Sequence, residues 1–174
     1  MDYYSKTINS PVGKLKLFAS NEALVGILWE REKPNRTHIE SSTEKNDHPI
    51  LVETEKQLSE YFSGERKQFD IKLDFFGTNF QKQVWQALLT IPYGETRSYG
   101  QIAMQLNNPK SVRAVGAANG KNPISIIVPC HRVIGATGSL TGFAGGMENK
   151  ELLLRLENSK IYAANKNTQL EIFE

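Results

Sequence analysis

At Gly77-Thr78 the spacing of apolar residues along this chain changes, and that change limits what it can fold into. Before it, Lys14-Leu15-Lys16-Leu17-Phe18 alternates with a period of two. Tyr3–Ile8 is a short β-prone run, and Leu24-Val25-Gly26-Ile27-Leu28-Trp29 is apolar enough for a central strand. Turns at Ser10-Pro11-Val12-Gly13 and Ser20-Asn21-Glu22 separate them. Residues 31–48 are polar and carry Pro34, Asn35, Ser41 and Ser42, which predicts a loop. Pro49 opens a helix with Leu51, Glu55, Leu58 and Phe62 at helical spacing, and Gly64 closes it. Phe69, Ile71, Leu73 and Phe75 alternate and predict a late strand. After the change, Phe80, Val84, Trp85, Leu88 and Leu89 form a helical stripe, with Thr78 or Asn79 as N-cap. Ser98 can cap a second helix over 99–106, and a third is expected from Lys110 to Ala118, ended by Asn119-Gly120. Two short helices joined by Asn107-Asn108-Pro109 read as a helix-turn-helix. Ile124–Val128 reads as a short buried strand, 135–146 as a Gly-rich loop, and 147–158 as a last helix. The expected class is α+β: a small α/β unit over 1–77, a mainly helical unit over 78–160, and a polar tail over 161–174.

Composition narrows the function more than the fold. The 174 residues are 39% apolar and 23% charged, as in an ordinary globular chain. No apolar run approaches the ~20 residues that span a bilayer, so no membrane partner is expected. MDYYSKTINS lacks the basic start and apolar core of an export signal. Cys130 is the only cysteine, which excludes an internal disulfide and any zinc site built on several thiolates. A reducing, cytoplasmic setting follows as the expectation. His38, His48 and His131 have no metal-ligand spacing. The net charge of +2 is unevenly placed: residues 1–78 carry −2 and residues 79–174 carry +4. Between 82 and 132, Lys82, Arg97, Lys110, Arg113, Lys121 and Arg132 face a single acid, Glu95. A basic segment beside an acidic half points to a polyanion, with nucleic acid the first choice.

The chemistry gathers around Cys130. It follows a proline at the end of an apolar run and directly precedes His131. A lone cysteine is more often a small buried hydrophobe. A histidine, an arginine and free amides at a turn would instead favour the thiolate, which is the reactive form. In the third helix, Ala114, Val115, Gly116, Ala117 and Ala118 make an unusually small wall, suited to close approach by another surface, with Arg113 near its start. The Gly-rich loop lacks the lysine and flanking elements of a phosphate loop and looks like a pocket wall.

Ile127-Val128-Pro129-Cys130-His131-Arg132-Val133 resembles the active-site signature of the O6-alkylguanine-DNA alkyltransferases, also called methylated-DNA–protein-cysteine methyltransferases. The resemblance continues in Phe80-Gln81-Lys82-Gln83-Val84-Trp85, Ile91-Pro92-Tyr93-Gly94, Ser98-Tyr99, Arg113–Asn119, Asn122-Pro123 and Gly145-Gly146. It covers about residues 78–158; the first half shares only its length, a weak sheet pattern and Tyr61-Phe62-Ser63-Gly64. It implies an RNase H-like N-terminal domain and a C-terminal DNA-binding and alkyl-acceptor domain. It also implies a single-turnover reaction, in which Cys130 takes an alkyl group irreversibly from O6-alkylguanine in duplex DNA, with O4-alkylthymine left open as a substrate. His131 would take the thiol proton, and Glu157, 27 residues beyond Cys130, would orient His131. Tyr99 would assist the leaving guanine, and Asn122 would tie the recognition helix to the Cys130 segment. Arg113 would be the finger that fills the place of a flipped base, with Ala114, Ala117 and Ala118 in the minor groove and Lys110 and Lys121 on phosphates. Val133, Phe143, Ala144 and Gly145 would line the base pocket. Phe143 stands where many relatives have tyrosine, and Ala144 where some have serine. The resemblance implies no organic cofactor, and the cysteine ligands of the zinc that some relatives carry are missing here, so no metal is implied. A monomer acting on alkylated double-stranded DNA is the resulting expectation.

Three other classes fit parts of the pattern. A lesion-binding relative without transfer would lack the cysteine. A methylation-responsive regulator would carry a further cysteine-rich domain. A cysteine hydrolase would turn over esters or peptides.

Overall fold

The computed structural model describes residues 1–39 and 41–157. β1 (Tyr4–Ile8), β2 (Leu15–Ala19) and β3 (Leu24–Trp29) form an antiparallel meander whose order with the two-residue β4 (Thr43–Glu44) is β3-β2-β1-β4. The register pairs Tyr4 with Ala19 and Leu15 with Trp29. β4 adds in parallel to β1 through Tyr4 and Ser5, so the segment expected to be all loop carries one short strand. Helix α1 (Pro49–Phe62) covers one face of the sheet and buries Leu51, Thr54, Gln57, Leu58 and Tyr61. Its N-cap is His48, whose Nδ1 accepts from the Ile50 amide at 3.2 Å.

The expected late strand at 69–75 is reduced to one bridge, Leu24 with Leu73, held by Leu24 N to Lys72 O and Asp74 N to Leu24 O. The reason is competition for one sheet edge. Farther along β3, the Ile27 amide already donates to Pro123 O at 2.9 Å, and Ile27 bridges Ile124. The same crossing corrects the expected strand at 124–128. Those residues turn back on themselves, with Val128 N to Ile124 O at 3.0 Å and Ile126 at a φ of 76°. They are apolar because both halves bury them, and an apolar run cannot distinguish a strand from a buried turn.

The C-terminal half begins with α2 (Asn79–Leu88), where Thr78 and Gln81 form a reciprocal capping box. β5 (Arg97–Ser98) leads into α3 (Tyr99–Gln105), capped by Ser98 with Gln101 in the same manner. Helix α4 spans Val112–Gly120, two residues later than expected at each end. Ser111 spends its hydroxyl on Asn108 O, closing the preceding turn rather than starting the helix at Lys110. α2 and α3 both pack on α4, and Trp85 Nε1 donates to Ala118 O at 2.9 Å. After a 3-10 turn at Cys130–Arg132, β6 (Val133–Ile134) pairs in parallel with β5. α5 (Met147–Leu156) closes the described chain; Asn158 and the expected tail over 161–174 lie outside the described residues.

One apolar cluster runs through both halves, from Leu15, Leu24 and Ile27 to Val84, Val115, Ile124 and Cys130. Polar ties join the halves as well. Trp29 Nε1 donates to Ser125 Oγ at 3.0 Å, and Asn149 Nδ2 donates to Val12 O at 3.1 Å. Arg36, paired with Glu32, donates to Gly120 O and Asn122 O at 3.2 and 2.8 Å. A cation there complements the carbonyl end of α4. Among the described residues no helix is long and apolar enough to cross a membrane.

Candidate active site

The turn that follows Pro129 starts from backbone demand. With Ile126 at positive φ and the chain folded back, Cys130 N donates to Val128 O at 2.8 Å and the 3-10 turn begins. Asn122, fully buried, locks this arrangement: Nδ2 donates to Val128 O at 2.8 Å and Oδ1 accepts from Ile124 N at 3.0 Å. Asn119, at the inner side of α4, reaches Cys130 O at 3.5 Å. Cys130 itself is 3% exposed. Burial pushes its thiol above the usual range, while the Asn122 hydrogen bond and the charges of Arg36 and Lys150 act the other way. The resting group is a thiol, and it needs a base to react.

That base stands next in sequence. His131 is fully buried, and its Nε2 lies 2.7 Å from Glu157 Oε2. Arg132 Nε donates to Glu157 Oε1 at 2.8 Å, Arg132 Nη2 to Oε2 at 3.0 Å, and Tyr61 OH to Oε2 at 2.5 Å. Burial by itself would raise the Glu157 carboxyl, but His131 and Arg132 outweigh it and hold the group well below the carboxylate range. Burial holds His131 below its ordinary value, Arg132 and Lys150 push in the same direction, and Glu157 opposes them. The result is an ionised Glu157 with Arg132 as counter-ion and a neutral His131. An ionised carboxylate only accepts, so the imidazole proton sits on Nε2. His131 Nδ1 is then a bare lone pair, buried and without a partner among the described residues.

Tyr99, half-buried at the start of α3, shares a hydrogen bond with Thr141 Oγ1 across the Gly-rich loop. Burial raises its hydroxyl, the Thr141 hydrogen bond opposes this, and Cys130 adds a smaller push upward, so it is a proton donor at neutral pH. Val133 is buried, and its carbonyl accepts from Lys150 Nζ at 2.6 Å. Cys130, His131, Glu157, Asn122, Tyr99 and Val133 are thus brought together. Phe143, Ala144 and Gly145 lie on the far arm of the loop, in a cleft shared with Trp29, Arg31 and Met147. Arg113, Ala114 and Ala117 are exposed on α4, with Lys110 before the helix and Lys121 just after it, both exposed. Ala118 departs from expectation as a DNA-facing residue. Three positions after Val115 it falls on the inner stripe of α4, is 3% exposed, and packs in the core.

Three residues escape a reading of the sequence. Tyr61 sits in the apolar stripe of α1 and reads there as packing. Arg132 reads as one more basic residue, although it is buried on Glu157 and also donates to Ile91 O at 2.7 Å. Lys150 is fully buried on α5, and burial lowers it to about 8. A signal for it exists: a lysine three residues before Leu153, on the inward stripe of the helix. Among the described residues no cluster of His, Cys, Asp and Glu could hold a metal ion.

Comparison with known proteins places this arrangement in context. A family described as 6-O-methylguanine DNA methyltransferase, DNA binding domain, matches residues 79–159, and its ribonuclease-like domain matches residues 3–75. The methylated-DNA–protein-cysteine methyltransferase of Mycobacterium tuberculosis is 52% identical over 157 residues, covering 89% of this chain and 92% of its own. That of Methanosarcina acetivorans is 50% identical over 156 residues, covering 90% and 99%. The crystal structure of Mycobacterium tuberculosis OGT in complex with DNA superposes with a TM-score of 0.80 at 50% identity, covering 91% of this chain and 93% of that one.

Proposed function

The chain belongs to the 6-O-methylguanine DNA methyltransferase family, and from that premise we propose how its residues divide the reaction between them. It is a methylated-DNA–protein-cysteine methyltransferase that binds DNA and repairs it by alkyl transfer. Residues 1–77 serve as the scaffold domain, and 78–160 as the DNA-binding and acceptor domain. Cys130 is the acceptor. Its sulfur attacks the O6-alkyl carbon as the carbon–oxygen bond breaks, and its proton passes through a water to His131 Nδ1. A thiolate is the softest nucleophile a side chain offers, which suits displacement at an alkyl carbon. Glu157 holds the His131 ring and stabilises the imidazolium. Tyr99 donates to a ring nitrogen of the departing guanine, so that it leaves neutral. The carbon–sulfur bond does not reopen, and each molecule acts once.

The single observation that carries this division is the bare Nδ1 of His131, the residue that follows the buried Cys130 in sequence, with its other ring nitrogen committed to Glu157. A base stacked inside duplex DNA cannot reach a sulfur that is 3% exposed, so the base is flipped out first. The exposed Arg113 at the start of α4 takes its place in the stack. The small side chains Ala114 and Ala117 allow the helix into the narrow minor groove, and Lys110 and Lys121 meet phosphates. Phe143, Ala144, Gly145 and Val133 border the extruded base. The protein acts as a monomer on alkylated double-stranded DNA. Intact mass after incubation with a methylated duplex tests the assignment: one methyl group on Cys130, with the protein consumed, is expected, and continued turnover by unmodified protein would overturn it.

A further inference from the structure

We propose that Tyr61 is a positioning residue for alkyl transfer. Its hydroxyl shares Glu157 Oε2 with His131 Nε2, and so the N-terminal half of the chain sets how firmly the carboxylate grips the catalytic ring. The inference rests on the roles given above to His131 and Glu157.

The geometry leaves Tyr61 little else to do. It lies on α1, fully buried, with its ring against Phe62, Phe69 and Tyr93 at centroid distances of 5.3, 5.4 and 6.3 Å. Those contacts need only a phenyl ring. The hydroxyl has one partner among the hydrogen bonds of the described residues, Glu157 Oε2 at 2.5 Å. Burial and the Glu157 charge hold its proton on, so it acts only as a donor. Oε2 also takes His131 Nε2 at 2.7 Å and Arg132 Nη2 at 3.0 Å, and Oε1 takes Arg132 Nε at 2.8 Å. Of the four donors on this carboxylate, three share Oε2 and one binds Oε1, so the Tyr61 hydroxyl and the His131 ring compete for one oxygen. Each donor draws charge from the oxygen it binds and fixes its direction. With Tyr61 in place, Oε2 points at His131 but attracts its proton less strongly.

Removing the hydroxyl therefore has two consequences of known sign. The carboxylate keeps more negative charge for His131, so the imidazolium is better stabilised and the ring titrates at higher pH. The carboxylate is also less firmly aimed, so transfer slows. The other groups facing this pair are unchanged: Arg132 on the 3-10 turn, Lys150 on α5, and Tyr93 between α2 and β5.

The test uses the full chain, as wild type and as Tyr61→Phe, with 15N-labelled histidine. The ring nitrogens of His131 are titrated while His38 and His48 serve as internal references, and single-turnover transfer from a methylated duplex is followed across pH. In the wild type near neutral pH, Nε2 is expected to carry the proton and Nδ1 to be bare. In Tyr61→Phe the His131 titration and the acidic limb of the rate profile both move to higher pH. The plateau rate falls by about tenfold, and duplex affinity is unchanged. A variant that melts earlier but keeps both the titration and the acidic limb makes Tyr61 a packing residue and overturns the proposal alone. A wild-type ring with its proton on Nδ1 overturns the relay of His131 and Glu157, and this proposal with it.

Discussion

Gly145 lies so close to Trp29 that a Cβ added to it would meet the indole at 2.5 Å. Trp29 is the last residue of β3, and its ring also stands edge-on to Phe143 with centroids 5.3 Å apart. The Gly-rich loop is therefore seated against a side chain from the other half of the molecule. The same indole holds Ser125 in the turn that leads to Cys130.

Gly145→Ala is accordingly expected to displace that loop, and with it Thr141, the partner of Tyr99. A loss of about 1–3 kcal/mol is expected, as for other overpacking substitutions, together with slower transfer. Gly142→Ala is the control. A Cβ there meets nothing within 4 Å, so its stability should stay within about 0.5 kcal/mol of wild type. Urea midpoints and single-turnover rates on both variants check the pair.

Cys130→Ala is expected to bind duplex DNA as the wild type does and to transfer nothing. Peptide mapping of reacted wild type should find the methyl group on Cys130 and on no histidine or lysine.

DNA affinity is expected to fall steeply with salt, because Lys82, Lys110 and Lys121 are all exposed on the basic half. Removing one lysine that neutralises a phosphate should flatten the slope of log K against log salt by about 0.9. Single alanine substitutions should weaken all duplex sequences alike. A strong preference for one sequence would point to a regulator.

Arg113→Ala and Tyr99→Phe are expected to separate base flipping from chemistry. Extruding a base costs a few kcal/mol in a duplex and nothing for free O6-alkylated guanine. Arg113→Ala should therefore slow duplex repair at least about tenfold more than reaction with the free base. Tyr99→Phe should slow both, since the leaving group is the same. Equal slowing of both substrates by Arg113→Ala would remove it from the flipping step.

Acid should weaken the protein over two separate pH ranges. His131 titrates below its unfolded value of ~6.5 in the native state, so the unfolded chain binds more protons and stability falls as pH drops through that range. Glu157 is held below its unfolded value of ~4.3, so its contribution is complete above that pH and is lost below it. Urea midpoints against pH should decline first near ~6.5 and again below ~4.3. Glu157→Gln should abolish the second decline. It should also cost about 3–5 kcal/mol at neutral pH, because Arg132 is left buried without its counter-ion.

The helices of the C-terminal half are legible in the sequence because their signals are local. Thr78 with Gln81 and Ser98 with Gln101 are capping boxes readable within four residues. The strands β1 to β3 are legible through alternation. The segments 69–75 and 124–128 are not, because each competes with the other for the edge of β3, and that contest is invisible to local pattern. At the site, Cys130, His131 and Glu157 can be named from a motif and a spacing. Tyr61 cannot: it is 96 residues from Glu157, and the stripe it occupies on α1 is also an ordinary core stripe. The inward orientation of Ala118 is hidden for a related reason. A run of small residues does not say which of them face the core.

The near-complete enclosure of Cys130 bears on how long an unused molecule keeps its capacity. Oxidation and disulfide exchange require a thiolate that peroxide or glutathione can reach. A sulfur 3% exposed and raised toward its protonated form offers neither access nor charge to such reagents. A reagent that reacts once has no means of recovering from a wasted event. Enclosure and a retained proton therefore slow the loss that an exposed thiolate would suffer before it ever meets its substrate.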